Sequence, residues 1–553
     1  MSGTRIDRRG ALGLFGAAAA IPGSAVAAPR AAQTAAFRHG VASGDPTMRG
    51  AVLWTRVTTT GNADVAVRWS VAESEDGRPI ESGQARARAA RDWTIKVEPK
   101  RLQPGREYWY WFEAAGIRSP VGRFRTLPEG KLDSLVLALT SCQLYGNGFF
   151  NAYAAIAQEP ALDAVLFLGD YIYEYEPFDY GGENARKLNR VVEPDHEIVS
   201  LTDYRARHAS YKLDPDLQAA HARAAWIAVW DDHEVATDGW LSGAENHTPA
   251  SEGDWAKRKA AAMQAYFEWM PIRDPQPGKP AEAIQRAFRF GDLATVVMLE
   301  SRLLARSEQA DQVFKPVDAA SIGKVLAERN RPERELIGEA QRKWIEGELK
   351  RSVAAGQPWQ VIGSQVVVAR VPGPQLDKIF GAERVAAMLA ALPQDLAETV
   401  RRSDAGFKAG LPYNLDAWDG YPAARERLYR SFSAAGSHPL VVSGDSPAFW
   451  ANNMSNDAGE LVASEFGTSG ITSPSVGDSL PGIPLGRLLE QAAPEVAFCD
   501  QSAKGYIRLT LTPAKAAADY VAVPIDTRPA PPRTLARFER EAQASGQALK
   551  RVT

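Results

Sequence analysis

The stretch LDAVLFLGDYIYEY, residues 162–175, joins a short apolar run to a Gly-Asp pair and three tyrosines. An apolar run of this length that ends in Gly-Asp predicts a buried strand of a parallel sheet. Gly169 permits a sharp backbone turn, and Asp170 then lies beyond the C-terminal edge of the strand, where open α/β sheets bind ligands. Tyr173 follows three residues later, so a carboxylate and a phenol could share one metal ion. The alternative is a loop aspartate that caps the next helix, with the tyrosine packed in the core.

Similar strand endings recur between residues 132 and 525. Apolar runs end there in Cys142, Asp170, Asp231–Glu234, Glu300–Arg302 and Ser443–Asp445. Helical stretches lie between the runs, and this alternation predicts a layered α/β domain. We expect the polar endings to line one edge of a single sheet.

The groups at these strand endings are mostly anionic. Thiolate, phenolate and carboxylate groups repel one another unless cations lie between them. The constellation therefore predicts a metal site. Thiolate and phenolate favour a transition metal, whereas carboxylates also suit calcium, magnesium or manganese.

Residues 37–127 have an all-β pattern. Short alternating or aromatic runs, such as AVLWTRV (51–57) and REYWYWFEA (106–114), are separated by turn residues. This spacing predicts an N-terminal sandwich of the immunoglobulin or fibronectin kind. Residues 128–131, PEGK, are the predicted linker to the second domain.

The first 27 residues have the pattern of a targeting segment. Arg8 and Arg9 precede an Ala/Gly-rich apolar run that ends in Ala25-Val26-Ala27, a small-x-small cleavage site. Paired arginines favour recognition by the twin-arginine (Tat) export machinery, and an ordinary secretory signal is the alternative. We expect a periplasmic or secreted protein, and no later apolar run predicts a transmembrane segment.

Composition limits the classes of partner. The formal net charge of the 553 residues is -3, which gives no overall basic field for nucleic acid. Cys142 and Cys499 are the only cysteines, and in an oxidising compartment they could form a disulfide. That pairing competes with a metal role for Cys142.

The C-terminal part of the chain divides into two predicted elements. Residues 506–524 predict a hairpin that completes a domain spanning residues 132–525. Residues 526–553 are expected to form a tail or a helix, packed near the site.

Several stretches together resemble the alkaline phosphatase D (PhoD-like) family of calcineurin-like metallophosphatases. They extend over nearly the whole chain after residue 27, and WDDHE with GDYIYEY is the most specific combination. The matching stretches are VASGDPTMRGAVLWTRV, TSCQ, FLGDYIYEY, LTDYRARHASYK, WDDHEVATDGW, WDGYPAARERLY and SGDSPAFWANN. The resemblance implies a four-layer α/β/β/α metallophosphatase core and a multinuclear site, with Fe³⁺ and Ca²⁺ as the expected metals.

The resemblance also implies roles for particular residues. Cys142, Asp170 and Tyr173 match the iron ligands, and Asp170 would bridge to a second metal. Asp232 would bind that second metal, and His233 matches the histidine that assists the leaving group or steadies the phosphoryl group. A further match is Asp445, the first ligand position of a late Gly-Asp-x-His motif.

The sequence departs from this last motif at Pro447, which stands where the motif has histidine. Proline can neither ligate a metal nor donate a proton from its side chain. One ligand or supporting contact is therefore missing or supplied from elsewhere.

The expected function is an exported, metal-dependent phosphoesterase. Metal-activated hydroxide would attack small-molecule or polymeric phosphate monoesters or diesters. The alternative is a non-catalytic phosphate- or glycan-binding protein that has lost a ligand at Pro447.

Arg302 and Glu234 keep two interpretations each, and Arg207 has one. Arg302 is a candidate catalytic residue that binds phosphate, or else a partner in a structural ion pair. Glu234 either orients the loop or binds metal. Arg207 is expected on a solvated helix face.

Overall fold

The computed structural model describes residues 35–314, 320–480, 482–542 and 546–553, and the segment predicted to direct export lies outside them. In this part of the chain the strands are β1 (Ala35–Ala36), β2 (Val41–Thr47), β3 (Gly50–Arg56), β4 (Thr58–Thr59), β5 (Val65–Ala72), β6 (Glu81–Ala87), β7 (Thr94–Val97), β8 (Glu107–Ala114), β9 (Ile117–Arg118), β10 (Gly122–Arg125), β11 (Leu135–Thr140), β12 (Ala164–Phe167), β13 (Ala225–Ala228), β14 (Arg286–Phe290), β15 (Ala294–Met298), β16 (Trp359–Ser364), β17 (Leu440–Ser443), β18 (Phe449–Ser455), β19 (Leu461–Gly467), β20 (Val496–Asp500), β21 (Gly505–Leu511), β22 (Lys515–Ala522), β23 (Arg533–Glu541) and β24 (Lys550–Arg551). The helices are α1 (Asn151–Ala157), α2 (Leu201–Tyr211), α3 (Pro215–Arg223), α4 (Pro249–Glu252), α5 (Trp255–Trp269), α6 (Ala310–Val313), α7 (Ile322–Arg329), α8 (Gly338–Ala354), α9 (Leu376–Phe380), α10 (Ala382–Ala391), α11 (Gln394–Lys408), α12 (Pro422–Ala434) and α13 (Leu485–Ala492).

Two large sheets form the core. The first has the order β24-β23-β22-β21-β11-β12-β13-β2-β3-β7, and its centre, β11-β12-β13-β2, is parallel. The second has the order β14-β15-β16-β17-β19-β18-β20, with β15, β16, β17 and β19 parallel. The layered α/β prediction is confirmed, but the expectation of one sheet is wrong. The sequence does not distinguish the two sheets, because strands that are buried on both faces have the same continuous apolar pattern in either sheet.

The second sheet buries both of its faces. Val296 and Val442 belong to a core cluster that also contains Leu137 and Leu166 of the first sheet. Their sequence neighbours, such as Val297, belong to a second cluster with residues of α8 and α12. Alternation of side chains along a strand explains this division, and the result is the expected order of helix, sheet, sheet and helix.

The N-terminal region is a sandwich that shares a sheet with the core. Strands β10, β8, β5 and β6 form one layer, with β9 paired to β8. Strands β2, β3 and β7 form the facing layer, and the apolar cluster between the layers includes Val41, Leu53, Val67 and Phe112. Because β2 also pairs with β13, this facing layer continues the ten-stranded core sheet.

The C-terminal residues form strands where the sequence predicted a tail or a helix. Residues 533–541 form β23, which pairs antiparallel with β22 over eight residue pairs. Buried positions alternate along β23 at Ala536, Phe538 and Arg540. An alanine- and glutamate-rich composition favours helix, but pairing with a sheet edge and burial of alternate side chains outweigh that preference here. In contrast, the predicted hairpin at 506–524 is confirmed as β21 and β22.

No helix among the described residues is long and apolar enough to cross a bilayer.

Candidate metal centre

The carboxyl ends of strands from both sheets meet at one buried site. Cys142 follows β11, Asp170 follows β12 and Asp232 follows β13, all from the first sheet. Asp445 follows β17, and Arg302 follows β15, both from the second. A Cβ on Gly444 would lie 2.9 Å from the Cβ of Ser141, so the ends of β17 and β11 are in close contact.

Three of the predicted ligands have an uncommon backbone conformation. The φ angles are 54° at Cys142, 62° at Asp170 and 59° at Asp445. Positive φ is rare for residues other than glycine and is concentrated at functional sites, where the surrounding structure holds it in place. The chain thus turns away directly after each strand and leaves these groups at the strand end.

Gly169 is required by close packing as well as by conformation. Its φ is 113°, and an added Cβ would lie 2.3 Å from the Cβ of Asp231. Only glycine allows the ends of β12 and β13 to approach this closely. The predicted role of Gly169 as the turning residue is confirmed.

Glu234 uses its carboxylate to hold this turn together. It accepts backbone N–H hydrogen bonds from Asp170 at 3.1 Å, Tyr171 at 2.6 Å and Asp231 at 2.7 Å. With three backbone donors on its oxygens, the side chain supports the loop, which was one of its two predicted roles.

Two overlapping groups of side chains have the spacing of a cation site. Asp170, Asp232 and His233 form one group, and Asp231, Asp232 and Asp445 form the other, with the ligand atoms of each group within 4.8 Å of one another. Among the described atoms, Oδ1 of Asp170, Oδ2 of Asp231 and Oδ1 of Asp232 are buried without a hydrogen-bond partner. Buried carboxylate oxygens require a partner, so the residues fit one or more bound cations.

Burial raises the pKa of Asp170 and of Asp445 well above the usual aspartate value. The pKa of Asp231 rises to about 6, again chiefly through burial. Burial also acts on Asp232, but the nearby Arg302 guanidinium and His233 outweigh it and lower the pKa of that carboxyl. A bound cation favours the charged form of all four carboxyls.

Cys142 and Tyr173 adjoin these groups. The Cys142 sulfur lies 3.6 Å from the backbone oxygen of Asp445, and the Tyr173 hydroxyl donates to Oδ2 of Asp170 at 3.0 Å. Burial, followed by the Asp170 carboxylate, raises the pKa of both groups well above their usual values. Both cysteines of the chain are free, so Cys142 and Cys499 do not form the disulfide that the sequence left open.

His233 is held in place by a residue that the sequence analysis did not single out. Its Nδ1 lies 2.8 Å from Oε2 of Glu174, and the other oxygen of Glu174 accepts from Thr237 and Asn246. The His233 ring also packs against the Tyr173 ring, with 4.2 Å between the ring centroids. Burial opposes protonation of His233, but Asp232 and Glu174 together raise its pKa well above the usual value.

Arg302 is fully buried and contacts a carboxylate with each of its three nitrogens. Nε contacts Asp231, Nη1 donates to both carboxylate oxygens of Asp416 at 2.7 and 2.8 Å, and Nη2 donates to Asp445 at 2.8 Å. Nη2 also lies 3.6 Å from Asp232. Asp416 is a second residue that the sequence analysis missed, although the stretch WDGYPAARERLY begins two residues after it.

The loop that carries Arg302 is fixed by Glu300. The carboxylate of Glu300 accepts from the backbone N–H groups of Arg302, Leu303 and Leu304 and from the Trp230 indole. Glu300 therefore stabilises the loop and is not a member of either group of side chains with the spacing of a cation site.

Pro447 lies two residues beyond Asp445. Its backbone oxygen accepts from Ser469 at 3.2 Å, and Lys504 Nζ lies 3.5 Å away. The proline side chain provides no donor or acceptor to the site, as predicted from the departure in the motif.

Comparison with known proteins agrees with this architecture. The sequence model of the PhoD-like phosphatase family matches residues 137–520, and that of the PhoD-like phosphatase N-terminal domain matches residues 23–128. Alkaline phosphatase D of Bacillus subtilis (strain 168) is 33% identical over 514 residues, which cover 89% of this chain and 78% of that protein. A solved structure of PhoD superposes with a TM-score of 0.77 at 30% identity and covers 94% of this chain and 92% of the other. The chain belongs to the PhoD-like phosphatase family.

Proposed function

We propose that this protein hydrolyses phosphate esters at the candidate metal centre, with metal ions held between the carboxylates of the two sheets. The observation that carries the proposal is the convergence of buried oxygens of Asp170, Asp231 and Asp232 that lack a hydrogen-bond partner within the described chain. They lie beside a histidine that is already oriented by Glu174. Membership of a phosphatase family supports phosphoester hydrolysis as the reaction.

The residues that would hold the metals come from both sheets. Cys142, Asp170 and Tyr173 supply a thiolate, a carboxylate and a phenolate, which suit Fe³⁺, and the remaining carboxylates, Asp232 and Asp445, suit Ca²⁺ or another hard cation. Metal ions in such a site supply Lewis acidity toward the phosphoryl oxygens and a water-derived nucleophile near neutral pH.

His233 and Arg302 have separate roles in this proposal. Glu174 binds Nδ1 of His233 and leaves Nε2 to donate a proton to the departing ester oxygen. Arg302 acts as a positioning residue, because its nitrogens are already bound to Asp231, Asp416 and Asp445. It neutralises part of the negative charge and fixes the distance between carboxylates of the two sheets.

The substrate class includes monoesters and diesters of small or polymeric alcohols. The test is the rate of hydrolysis of p-nitrophenyl phosphate and bis(p-nitrophenyl) phosphate by protein stripped of metal and then loaded with defined ions. We expect activity to return with Fe³⁺ plus Ca²⁺ and to be absent in the loaded Asp170→Asn variant. Phosphate binding without turnover under every metal condition would instead favour the binding protein considered from the sequence.

Export is a separate part of the proposal and is supported by the Arg8-Arg9 pattern and the Ala25-Val26-Ala27 site. Cell fractionation tests it, with Arg8→Lys plus Arg9→Lys as the variant. We expect the wild type outside the cytoplasm and the double variant retained inside, if the Tat export machinery reads these residues.

A further inference from the structure

A large cavity extends to Asp445 of the candidate metal centre. Its volume is 710 Å³, and Asp445, Ser446 and Pro447 form part of its wall. Volumes between about 300 and 1,000 Å³ are typical of sites for small organic ligands. The cavity and the metal centre therefore share Asp445 as a common boundary.

The far walls are mostly apolar and come largely from helices α9, α10, α11 and α13. In α10, Val385, Met388 and Leu389 face the cavity at a spacing of three and four residues, and Leu392 follows the helix. This spacing places them on one helix face. Met388, Leu389 and Leu392 are only partly buried, so their apolar surface is not covered by the rest of the described chain.

Charge on the cavity wall excludes some occupants. Among the described residues that line the cavity there is no lysine, arginine or histidine, and the charged ones are Asp404 and Asp445. Asp404 is bound by Lys408 at 2.6 Å and by the backbone N–H of Leu376. The cations beside this wall, Lys408 and Lys504, already neutralise Asp404 and Asp478. A second phosphate group would therefore gain little counter-charge, whereas a neutral hydrocarbon would be desolvated favourably.

Pro447 adds to this apolar character at the end nearest the metals. The position carries a pyrrolidine ring where the motif has an imidazole, so the wall beside Asp445 presents carbon where a polar ring is expected. A ligand whose phosphoryl group lies at the metal centre can therefore extend an apolar chain past Pro447 toward α10.

We propose that this cavity, which we call the α10 cavity, binds the unbranched hydrocarbon chain of a phosphoester substrate. The proposal deepens the proposed function and rests on it, because the phosphoryl group is what anchors the ligand at the metal centre. Each methylene buried in the cavity should tighten binding by about twofold to fourfold until the cavity is filled.

The test uses n-alkylphosphonates, which resist hydrolysis, from methyl through butyl and hexyl to octyl. They are measured as competitive inhibitors of p-nitrophenyl phosphate hydrolysis and, independently, by calorimetric titration of the metal-loaded protein. We expect the inhibition constant to fall steadily with chain length. Octyl glucoside, which has the chain without the phosphonate, should not inhibit competitively at the same concentrations.

Two variants change the α10 cavity in different ways, and a third serves as the control. Leu389→Gln makes the wall polar and should flatten the dependence on chain length, while Ala391→Phe fills space and should weaken octylphosphonate by about tenfold relative to methylphosphonate. The matched control is Ala390→Gln, at an exposed position on α10 that does not line the cavity. It should retain the wild-type dependence.

The outcomes separate the two proposals. If p-nitrophenyl phosphate is hydrolysed but the inhibition constants do not depend on chain length, the α10 cavity proposal is overturned and the phosphoesterase function stands. Should calorimetry show affinity that depends on chain length and is lost in Leu389→Gln, without hydrolysis under any metal condition, the cavity proposal holds and the enzymatic function fails. A third outcome is that affinity does not depend on chain length and that the wild type forms a dimer which Ala391→Phe dissociates. The cavity would then be a contact between two copies of the chain, and the proposal would again be overturned.

Discussion

The Nδ1 atom of His233 lies 2.8 Å from the Oε2 oxygen of Glu174, a side chain with no exposed surface. The remaining oxygen of Glu174 is bound by Thr237 and Asn246, and these contacts, with His233, hold the pKa of its carboxyl at about 2 in spite of burial. The carboxylate therefore fixes the orientation of the imidazole and occupies Nδ1, which leaves Nε2 for the proposed proton donation.

Replacement of Glu174 tests this relationship. Glu174→Gln should lower kcat by about 10- to 100-fold, because supporting partners of functional groups typically contribute that much. The decrease should be larger for an alkyl phosphate than for p-nitrophenyl phosphate, since a poor leaving group depends more on the proton donor. The matched control is Glu176→Gln, at an exposed position two residues away. Equal decreases for both leaving groups would show that Glu174 does not act through proton donation.

The proposed metal ligands can be tested by metal content as well as by rate. Asp170→Asn and Asp232→Asn should each lose bound metal in elemental analysis. Turnover should fall by at least about 100-fold, since loss of outer-shell partners alone costs about 10- to 100-fold. Asp179→Asn, at an exposed position beyond Tyr173, is the control. A variant that retains both metal content and rate, with an unchanged melting temperature, would remove that residue from the ligand set.

Much of this site follows from the sequence because the proposed ligands lie just beyond strand ends. Asp170 and Asp232 lie a few residues beyond the ends of parallel strands β12 and β13, and such strands bring the residues at their C-terminal ends to a common edge. The pattern does not reveal the second sheet, because the apolar run before Asp445 is of the same kind as the run before Asp170. Contact between the two sheets depends on side-chain packing between distant parts of the chain.

The supporting residues are harder to predict. Asp416 lies in a loop, 114 residues from Arg302 in sequence, so no local pattern links the two. Arg207 was expected on a solvated face, but it is buried and holds the backbone oxygens of Tyr173 and Tyr175. A helix with few apolar residues can still bury a charged side chain where backbone oxygens need donors.

The proposed thiolate and phenolate ligands predict a spectroscopic signature. Protein loaded with Fe³⁺ should show a visible charge-transfer band that weakens in Tyr173→Phe and shifts in Cys142→Ser. Cys499→Ser is the control, because Cys499 packs in the core cluster on the other face of the second sheet. A band unchanged in both Tyr173→Phe and Cys142→Ser would contradict the assignment of these two residues.

His39 predicts a dependence of stability on pH. Burial, aided by Arg56, Lys212 and Arg38, lowers the pKa of His39 from 6.5 to about 3, and its Nδ1 has no hydrogen-bond partner within the described chain. The unfolded state therefore takes up a proton below pH 6.5 that the folded state does not accept until about pH 3. The stabilisation is complete above the unfolded pKa and is lost as the pH falls toward the folded one.

Urea denaturation at several pH values measures this effect. Between pH 7 and pH 5, the free energy of unfolding of the wild type should fall by about 2 kcal/mol more than that of His39→Phe, at 1.36 kcal/mol per pH unit. Phenylalanine is the chosen replacement because His39 packs edge-on against Trp269. His196→Gln, at an exposed position, should follow the wild type. Parallel pH profiles for the wild type and His39→Phe would show that His39 titrates alike in both states.

Pro447 leads to the last prediction, which concerns ligand number. Cys142, Asp170, Tyr173, Asp232 and Asp445 still offer five anionic groups without the motif histidine. They should hold one metal firmly and a second one weakly. By analogy with outer-shell losses, the missing imidazole lowers affinity at the weaker position by about 10- to 100-fold.

Metal titration of the phosphoesterase rate checks this account in the wild type, Pro447→His and Pro447→Ala. Pro447→His should reach half-maximal rate at a lower metal concentration, because an imidazole two residues from Asp445 restores the spacing of the motif. Pro447→Ala is needed because removal of proline alone relaxes the backbone and changes the unfolded chain. If the two variants respond identically, the backbone and not the ligand explains any change. A gain confined to Pro447→His would assign the weakened position to the missing histidine, and the same variant should bind octylphosphonate less tightly, because the new ring is a polar group in the wall of the α10 cavity.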